Sequence, residues 1–390
     1  MSDNIKKTVY VDNNATTAVA PEVFEAMRPF LTEMYGNPSS IYSFGGQVAK
    51  HIEEARARLA SLLGVNEREV IFTSCATESD NAAIFSSLHA CPKKDKIVLS
   101  KVEHPAVLNV GKELERRGYR VSYVPVDSHG RLDMDSLAES VDDSTAVVSV
   151  MWANNETGNI YPVEKIAEVA HRHGALFHSD AVQAVGKIPL NLSEMPIDML
   201  SLSGHKLHAP KGVGALFVKR GVRFRPFFIG GHQERGRRGG TENVAGIVAL
   251  GKAAELAEKE MADDNSRIKA LRDRLEKGIL ERIPVVRING DVEHRLPNTS
   301  NISFELIEGE SILLLLDQLG ICASSGSACT TGSLEPSHVL RAMGLPLTAA
   351  HGAVRFSFSR FNTQEEVDYI LEYLPGIVQR LRSYSPFWKE

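Results

Sequence analysis

Short apolar runs alternate with stretches of helical period through the middle of the chain. Runs near Val70–Thr73, Lys96–Ser100, Arg120–Val126, Ala146–Ala153, Ala175–Ser179, Asp198–Ser203 and Gly214–Lys219 read as strands. Helical segments fill the gaps, which predicts an α/β domain around a mostly parallel, seven-stranded sheet. Ahead of the strands, Val48, Ile52, Ala55, Leu59 and Leu62 recur at helical spacing, and Gly64 stands where such a helix should stop. Pro105 opens another helix at a position that tolerates proline, and Val163–His173 ends at Gly174. From Glu242 to Glu281 the period is again helical, with a break expected near Asp263-Asp264-Asn265. Beyond it, Thr299–Leu306, Glu310–Leu319 and Ala353–Ser359 follow a different order, closed by a helix from Glu365 to Arg382. A smaller α+β domain is expected there. The expected division is residues 16–255 for the large domain and 1–15 plus 256–390 for the small one.

Composition narrows the class without naming a partner. The 390 residues carry 44 Lys plus Arg against 49 Asp plus Glu, a net charge of −5, so bulk charge gives no footprint for nucleic acid or an anionic membrane. No apolar run approaches the ~18 residues of a membrane span, and no signal segment follows the N-terminal charges, so a cytoplasmic protein is expected. The basic loop Gly230–Gly240 lacks aromatic residues and reads as a flexible connection rather than an RNA site. Cysteines 75, 91, 322 and 329 form no zinc-like spacing, and His171-Arg-His173 and His205-x-x-His208 lack supporting ligands, so no permanent metal site is assigned.

In open α/β sheets ligands bind beyond the carboxyl ends of the strands. Five such ends here are unusually polar: Ser74-Cys-Ala-Thr77 opening a helix, Glu103-His104-Pro105, Asn154-Asn155-Glu156, His178-Ser-Asp180 with Gln183, and Ser203-Gly204-His205-Lys206. Each has a bland reading as a cap, a turn or a solvated lysine. Together they suit pyridoxal phosphate, which needs an anion site, an acid for the ring nitrogen and a lysine. Asp180 and Lys206 suit the acid and the lysine. Gln183 suits the ring's phenolic oxygen, Thr77, Ser203 and His205 suit the phosphate, and His104 suits stacking and proton transfer.

Val9–Thr17, Thr73–Asn81, Glu103-His104, Asn154–Glu156, His178–Gln183, Ser203–Lys206, Arg238–Thr241 and Ser324–Cys329 together resemble the class I cysteine desulfurases of the NifS and IscS types. The resemblance runs from about Tyr10 to the last helix. It implies a fold-type I pyridoxal phosphate homodimer that removes sulfur from L-cysteine, leaving L-alanine and a persulfide. That sulfur is delivered to a NifU/IscU-like iron–sulfur scaffold, in a NifS-type role that extends to nitrogenase. Lys206 matches the lysine that carries the cofactor, His104 the acid–base histidine and Asp180 the ring-nitrogen partner. Ala76, Thr77, Ser203, Gly204 and His205 match the phosphate site, with Asn155 and Gln183 beside the ring. Thr241 matches a phosphate contact from the other subunit. Arg355, helped by Asn155, matches the receiver of the substrate carboxylate, and Cys329 the sulfur acceptor, with a transient role as an iron–sulfur ligand beside the scaffold.

Two of these matches have independent support in the residues. Ala323–Ser333 is built of small side chains only, a loop composition that suits a travelling Cys329. Alternation places Val354, Phe356 and Phe358 on one face of a strand, leaving Arg355, Ser357 and Ser359 on the other, where a guanidinium can hold a carboxylate through paired hydrogen bonds. Two departures stand out: Cys75 where glycine is more usual, and His208 in place of tyrosine. The chain also ends at Glu390 without the longer IscS-type docking tail, which favours the NifS type. The rival readings are a selenocysteine lyase or other aminotransferase-like enzyme, and a sulfur-delivery factor without catalysis.

Overall fold

A computed structural model describes residues 8–325, 335–386 and 388. The strands run β1 (Val9–Tyr10), β2 (Val70–Thr73), β3 (Lys96–Ser100), β4 (Arg120–Val124), β5 (Thr145–Ser149), β6 (Leu176–Asp180), β7 (Met199–Ser203), β8 (Gly214–Val218), β9 (Val286–Asn289), β10 (Thr299–Phe304), β11 (Ile321–Cys322) and β12 (Ala353–Ser357). Strands β2 to β8 form one sheet in the order β2-β8-β7-β6-β5-β3-β4, parallel from β7 to β4, with β8 antiparallel to both β2 and β7. Strands β5, β7 and β8 are buried along their whole length, as a sheet covered on both faces requires.

Helix ends follow local chemistry. The helix Ser43–Leu63 buries Val48, Ile52, Ala55, Leu59 and Leu62 and stops at Gly64, whose φ of 65° is left-handed backbone that glycine adopts without strain. Pro105 starts the helix Pro105–Arg116, and the His104 ring accepts a hydrogen bond from its first turn. Among the described helices none is long and apolar enough to cross a membrane.

The expected break at residues 263–265 does not occur. A single helix of 39 residues, Val244–Arg282, runs through it. The polar side chains there find partners off the helix: Asn265 Nδ2 donates to the Lys187 carbonyl at 2.7 Å, and Asp264 faces Arg360. Near its start Ile247, Leu250 and Ala254 join the core under the large sheet, whereas Ile268, Leu271, Leu275 and Ile279 join a second core with Phe304, Phe356 and Leu374. The antiparallel sheet β12-β10-β9, the parallel pair β1-β11 and the final helix Gln364–Tyr384 enclose that second core. Val354, Phe356 and Phe358 face into it, which turns Arg355 toward the large sheet.

Candidate active site

Segments following five strands of the large sheet converge on one cavity of about 370 Å³. Its walls contain ten of the expected residues: Ala76, Thr77, His104, Asn155, Asp180, Gln183, Ser203, His205, Lys206 and Arg355. Two others lie elsewhere, and one is not described. Gly204 is buried behind the wall, where a side chain would meet Val213 Cγ1 at 2.8 Å, so its lack of one lets the turn Gly204–Lys206 pack closely. Thr241 is exposed and lines a separate hollow with Ser74 and Asn243. Cys329 lies outside the described residues.

One wall is the start of the helix Ala76–Ala90. Its N-cap is Cys75, which makes no side-chain capping bond, so neither Ser74 nor Thr77 is the cap. The first N–H groups of such a helix have no intrahelical acceptor and attract anions. Cys75 adopts extended backbone (φ −172°), which any residue tolerates, so a cysteine at this position is unstrained. Below the helix start, Gly214 allows close approach: a Cβ there would lie 2.9 Å from the Cys75 carbonyl carbon.

Charged and polar side chains line the rest of the cavity. Lys206 Nζ donates to the carbonyls of Asn14 at 2.5 Å and Ala15 at 2.6 Å. Asp180, at the end of β6, is buried; Oδ1 accepts the Val182 N–H at 2.9 Å, and burial raises its pKa while His104 and Lys206 oppose the rise. His104 Nδ1 accepts the Ala106 N–H at 3.1 Å, and burial lowers the ring's pKa. The neutral ring therefore carries its proton on Nε2. Gln183 Nε2 donates to the Asn14 carbonyl at 3.0 Å while Oε1 accepts from Lys187 Nζ at 2.6 Å.

Several residues beyond the expected set complete the cavity. Asn14 supplies the carbonyl shared by Lys206 and Gln183, and its side chain donates to Thr299 Oγ1 at 2.8 Å and to the Asn155 carbonyl at 3.1 Å. Asp80 lines the cavity; its Oδ1 makes no hydrogen bond among the described residues and lies 3.6 Å from His178 Nε2, and burial and the nearby Asp180 push its pKa well up. Asp12 pairs with Arg355. All three sit inside motifs that the sequence displays, yet their contacts join elements far apart in the chain. Uncapped N–H groups, a buried acid and a lysine around this volume fit the donor set that pyridoxal phosphate requires.

Comparison with known proteins agrees with this arrangement. The aminotransferase class-V family matches residues 9–370. A cysteine desulfurase of Nostoc sp. is 60% identical over 97% of this chain and 95% of its own length. The cysteine desulfurase NifS of Azotobacter vinelandii is 57% identical over 97% of this chain and 95% of its own. A solved NifS-like protein, 42% identical, superposes with a TM-score of 0.90 over 96% of this chain and 100% of its own. With identity this high across nearly the whole length, the chain belongs to the class-V aminotransferases and, within them, to the class I cysteine desulfurases of pyridoxal phosphate fold type I.

Proposed function

We propose that this chain is a cytoplasmic, homodimeric, pyridoxal phosphate-dependent desulfurase that takes sulfur from L-cysteine. The observation that carries the reading is the convergence of Asp180, Lys206, His104 and Arg355 on one cavity beside an uncapped helix start. Pyridoxal phosphate, when bound, supplies an electron sink for negative charge at the substrate α-carbon. Ala76 and Thr77 would hold its phosphate with Ser203 and His205, Asp180 its ring nitrogen and Gln183 its phenolic oxygen. Arg355 receives the substrate carboxylate, assisted by Asn155. Lys206 holds the cofactor and moves the α-proton, and His104, with its proton on Nε2, donates or takes up a proton at that atom.

Cys329 accepts the sulfur. As a thiolate it attacks the substrate sulfur; an S–S bond forms, the substrate Cβ–S bond breaks, and a proton returns to that carbon. Cysteine and one enzyme thiol thus become alanine and one enzyme persulfide, with no outside oxidant. The persulfide then passes to a NifU/IscU-like scaffold for iron–sulfur cluster assembly, nitrogenase being the client of a NifS-type member.

A homodimer is supported by a wide groove that runs from Thr77 and His104 to the half-exposed Phe227 and the exposed Ile229. The phosphate contact that the family resemblance implies for Thr241 would come from the second copy.

Purified protein tests this reading directly. A chromophore near ~420 nm that Lys206→Ala abolishes, with equal alanine and persulfide from cysteine that Cys329→Ala abolishes, is the expected result. Amination of keto acids at a comparable rate, or alanine formation unaffected by Cys329→Ala, would overturn it.

A further inference from the structure

Arg355 is 2% exposed, and its guanidinium is already engaged. Nη2 donates to Asp12 Oδ1 at 2.6 Å and Nη1 to the Asn155 carbonyl at 2.9 Å, while Nε has no partner among the described residues. Arg355 lines the cavity and Asp12 stands beyond that wall. The Asp12 backbone is fixed: it bridges Ser357 on the edge of β12, and its carbonyl accepts the Tyr10 hydroxyl at 3.1 Å. Its carboxylate therefore does not swing away with a loose segment.

Among the described residues, Glu156 also lies within electrostatic reach of Arg355. Glu156 is buried, its pKa is raised by that burial, and it accepts a hydrogen bond from Ser337. Asp12 is the carboxylate in direct contact with the guanidinium.

We propose that Asp12 sets the affinity of this site for carboxylates: it is a resident carboxylate that neutralises Arg355 and decides how tightly the site holds an incoming one. The proposal rests on the reading of Arg355 as the carboxylate receiver. A buried unpaired arginine would bind any small carboxylate strongly, because ligand binding would relieve an uncompensated charge. With Asp12 in place, an incoming carboxylate meets a neutral pair, and two anions must share one guanidinium. The contact is then weakened for substrate, product and stray anions alike. A residue that holds the substrate less tightly without touching the reacting atoms favours turnover over tight ground-state binding. Asp12 acts through Arg355 and is a positioning residue in that sense.

The test compares holoenzymes of the wild type and Asp12→Asn, an isosteric change. Each is titrated with L-alanine and with 3-mercaptopropionate, which offers a carboxylate but no amine. Cofactor absorbance and melting temperature are both read. Asp12→Asn is expected to bind both ligands about tenfold tighter, to gain more melting temperature from them than the wild type does, and to show a lower KM for cysteine without a higher kcat. Equal or weaker binding of both ligands by Asp12→Asn overturns the proposal and leaves Asp12 as a residue that only aims the arginine. If Asp12→Asn does not fold, Asp12→Ser carries the same comparison. A wild-type holoenzyme that responds to neither ligand instead defeats the reading of Arg355 itself.

Discussion

Lys187 Nζ donates to Gln183 Oε1 at 2.6 Å, and the same amide turns its Nε2 to the Asn14 carbonyl at 3.0 Å. An amide can rotate by half a turn and exchange its oxygen for its nitrogen, and here both ends are specified by unambiguous partners. Lys187 is half-buried, with its pKa pushed down to about 7 by burial and by the cations Lys206 and Arg355. Either protonation state still donates to Oε1.

Lys187→Met removes that donor and should weaken retention of pyridoxal phosphate by about fivefold, the effect of roughly 1 kcal/mol for one hydrogen bond. Lys187→Arg should keep most of the affinity. Titration of each apoenzyme with the cofactor, followed by absorbance, measures this. Equal dissociation constants for the wild type and Lys187→Met would mean that Asn14 alone holds the amide.

Glu103 gives the stability a distinctive pH dependence. It is fully buried, Oε1 accepts Ser100 Oγ at 2.5 Å and the Met151 N–H at 2.9 Å, and burial raises its pKa to about 8 from a usual 4.5. Between those values the folded chain keeps a proton that the unfolded chain releases. Its contribution is therefore present below about pH 4.5 and lost as pH rises through 8, at up to about 1.4 kcal/mol per pH unit. His178, held neutral by burial with a pKa near 3, acts in the other direction: its contribution is full above about 6.5 and lost as pH falls. Glu103→Gln mimics the protonated acid, so between pH 5 and 8 its urea stability should fall less than that of the wild type. Parallel curves would mean that Glu103 is ionised in the folded protein.

Arg56 and Glu234 form a two-armed ion pair at 2.8 Å on each arm, with both side chains 3% exposed, and Glu234 also accepts the Phe72 N–H. The pair ties the Gly230–Gly240 loop to the first long helix and to β2. Glu234 and Arg235 hold φ values of 49° and 59°, so this tie keeps an unfavourable backbone in place. Arg56→Met leaves a buried, uncompensated carboxylate and should cost about 3–5 kcal/mol in denaturant unfolding, while Arg56→Met/Glu234→Met should recover part of the loss. Protease cutting between residues 230 and 241 should rise in the single variant. No rise would show that the pair stabilises the core without ordering the loop.

Most of the large sheet and the cavity were legible because both follow local rules. The all-apolar runs mark buried strands, and polar residues just after them mark the rim. What the local pattern does not reveal depends on contacts between distant segments. Asn14 and Asp12 stand in a motif near the chain start, but nothing local says that one carbonyl receives Lys206 while the neighbouring carboxylate meets Arg355. Residues 263–265 look like a helix break because Asp and Asn compete locally for backbone groups. Asn265 instead reaches the Lys187 carbonyl, and a tertiary contact overrides the local preference. Ala146–Ala153 reads as one strand, yet β5 ends at Ser149, and Met151 and Ala153 turn to line the cavity. Apolar composition does not distinguish a strand from a buried wall. Thr241 lines a hollow apart from the cavity of its own chain, a separation that its place in the sequence does not reveal.

Gly214 and Gly212 separate geometry at the anion site from ordinary backbone strain. Gly214 begins β8 between Thr73 of β2 and Ser203 of β7, the two strands that lead into the helix start and the lysine turn. A methyl group there would lie 2.8 Å from the Leu202 oxygen and 2.9 Å from the Cys75 carbonyl carbon, both backbone atoms that cannot rotate away. Gly214→Ala must therefore push Cys75 and Ala76 outward, at about 1–3 kcal/mol for an overpacked contact. Gly212 has φ of 85° with open space around the added carbon, so Gly212→Ala should cost about 1 kcal/mol of stability through backbone strain alone. The displaced atoms in Gly214→Ala belong to the proposed phosphate cradle. Its dissociation constant for pyridoxal phosphate should rise tenfold or more, while that of Gly212→Ala should stay within about twofold of the wild type. Absorbance titration of the apoenzymes, alongside their melting temperatures, reads both effects. Equal cofactor affinity in the two variants would show that the helix start does not hold the phosphate.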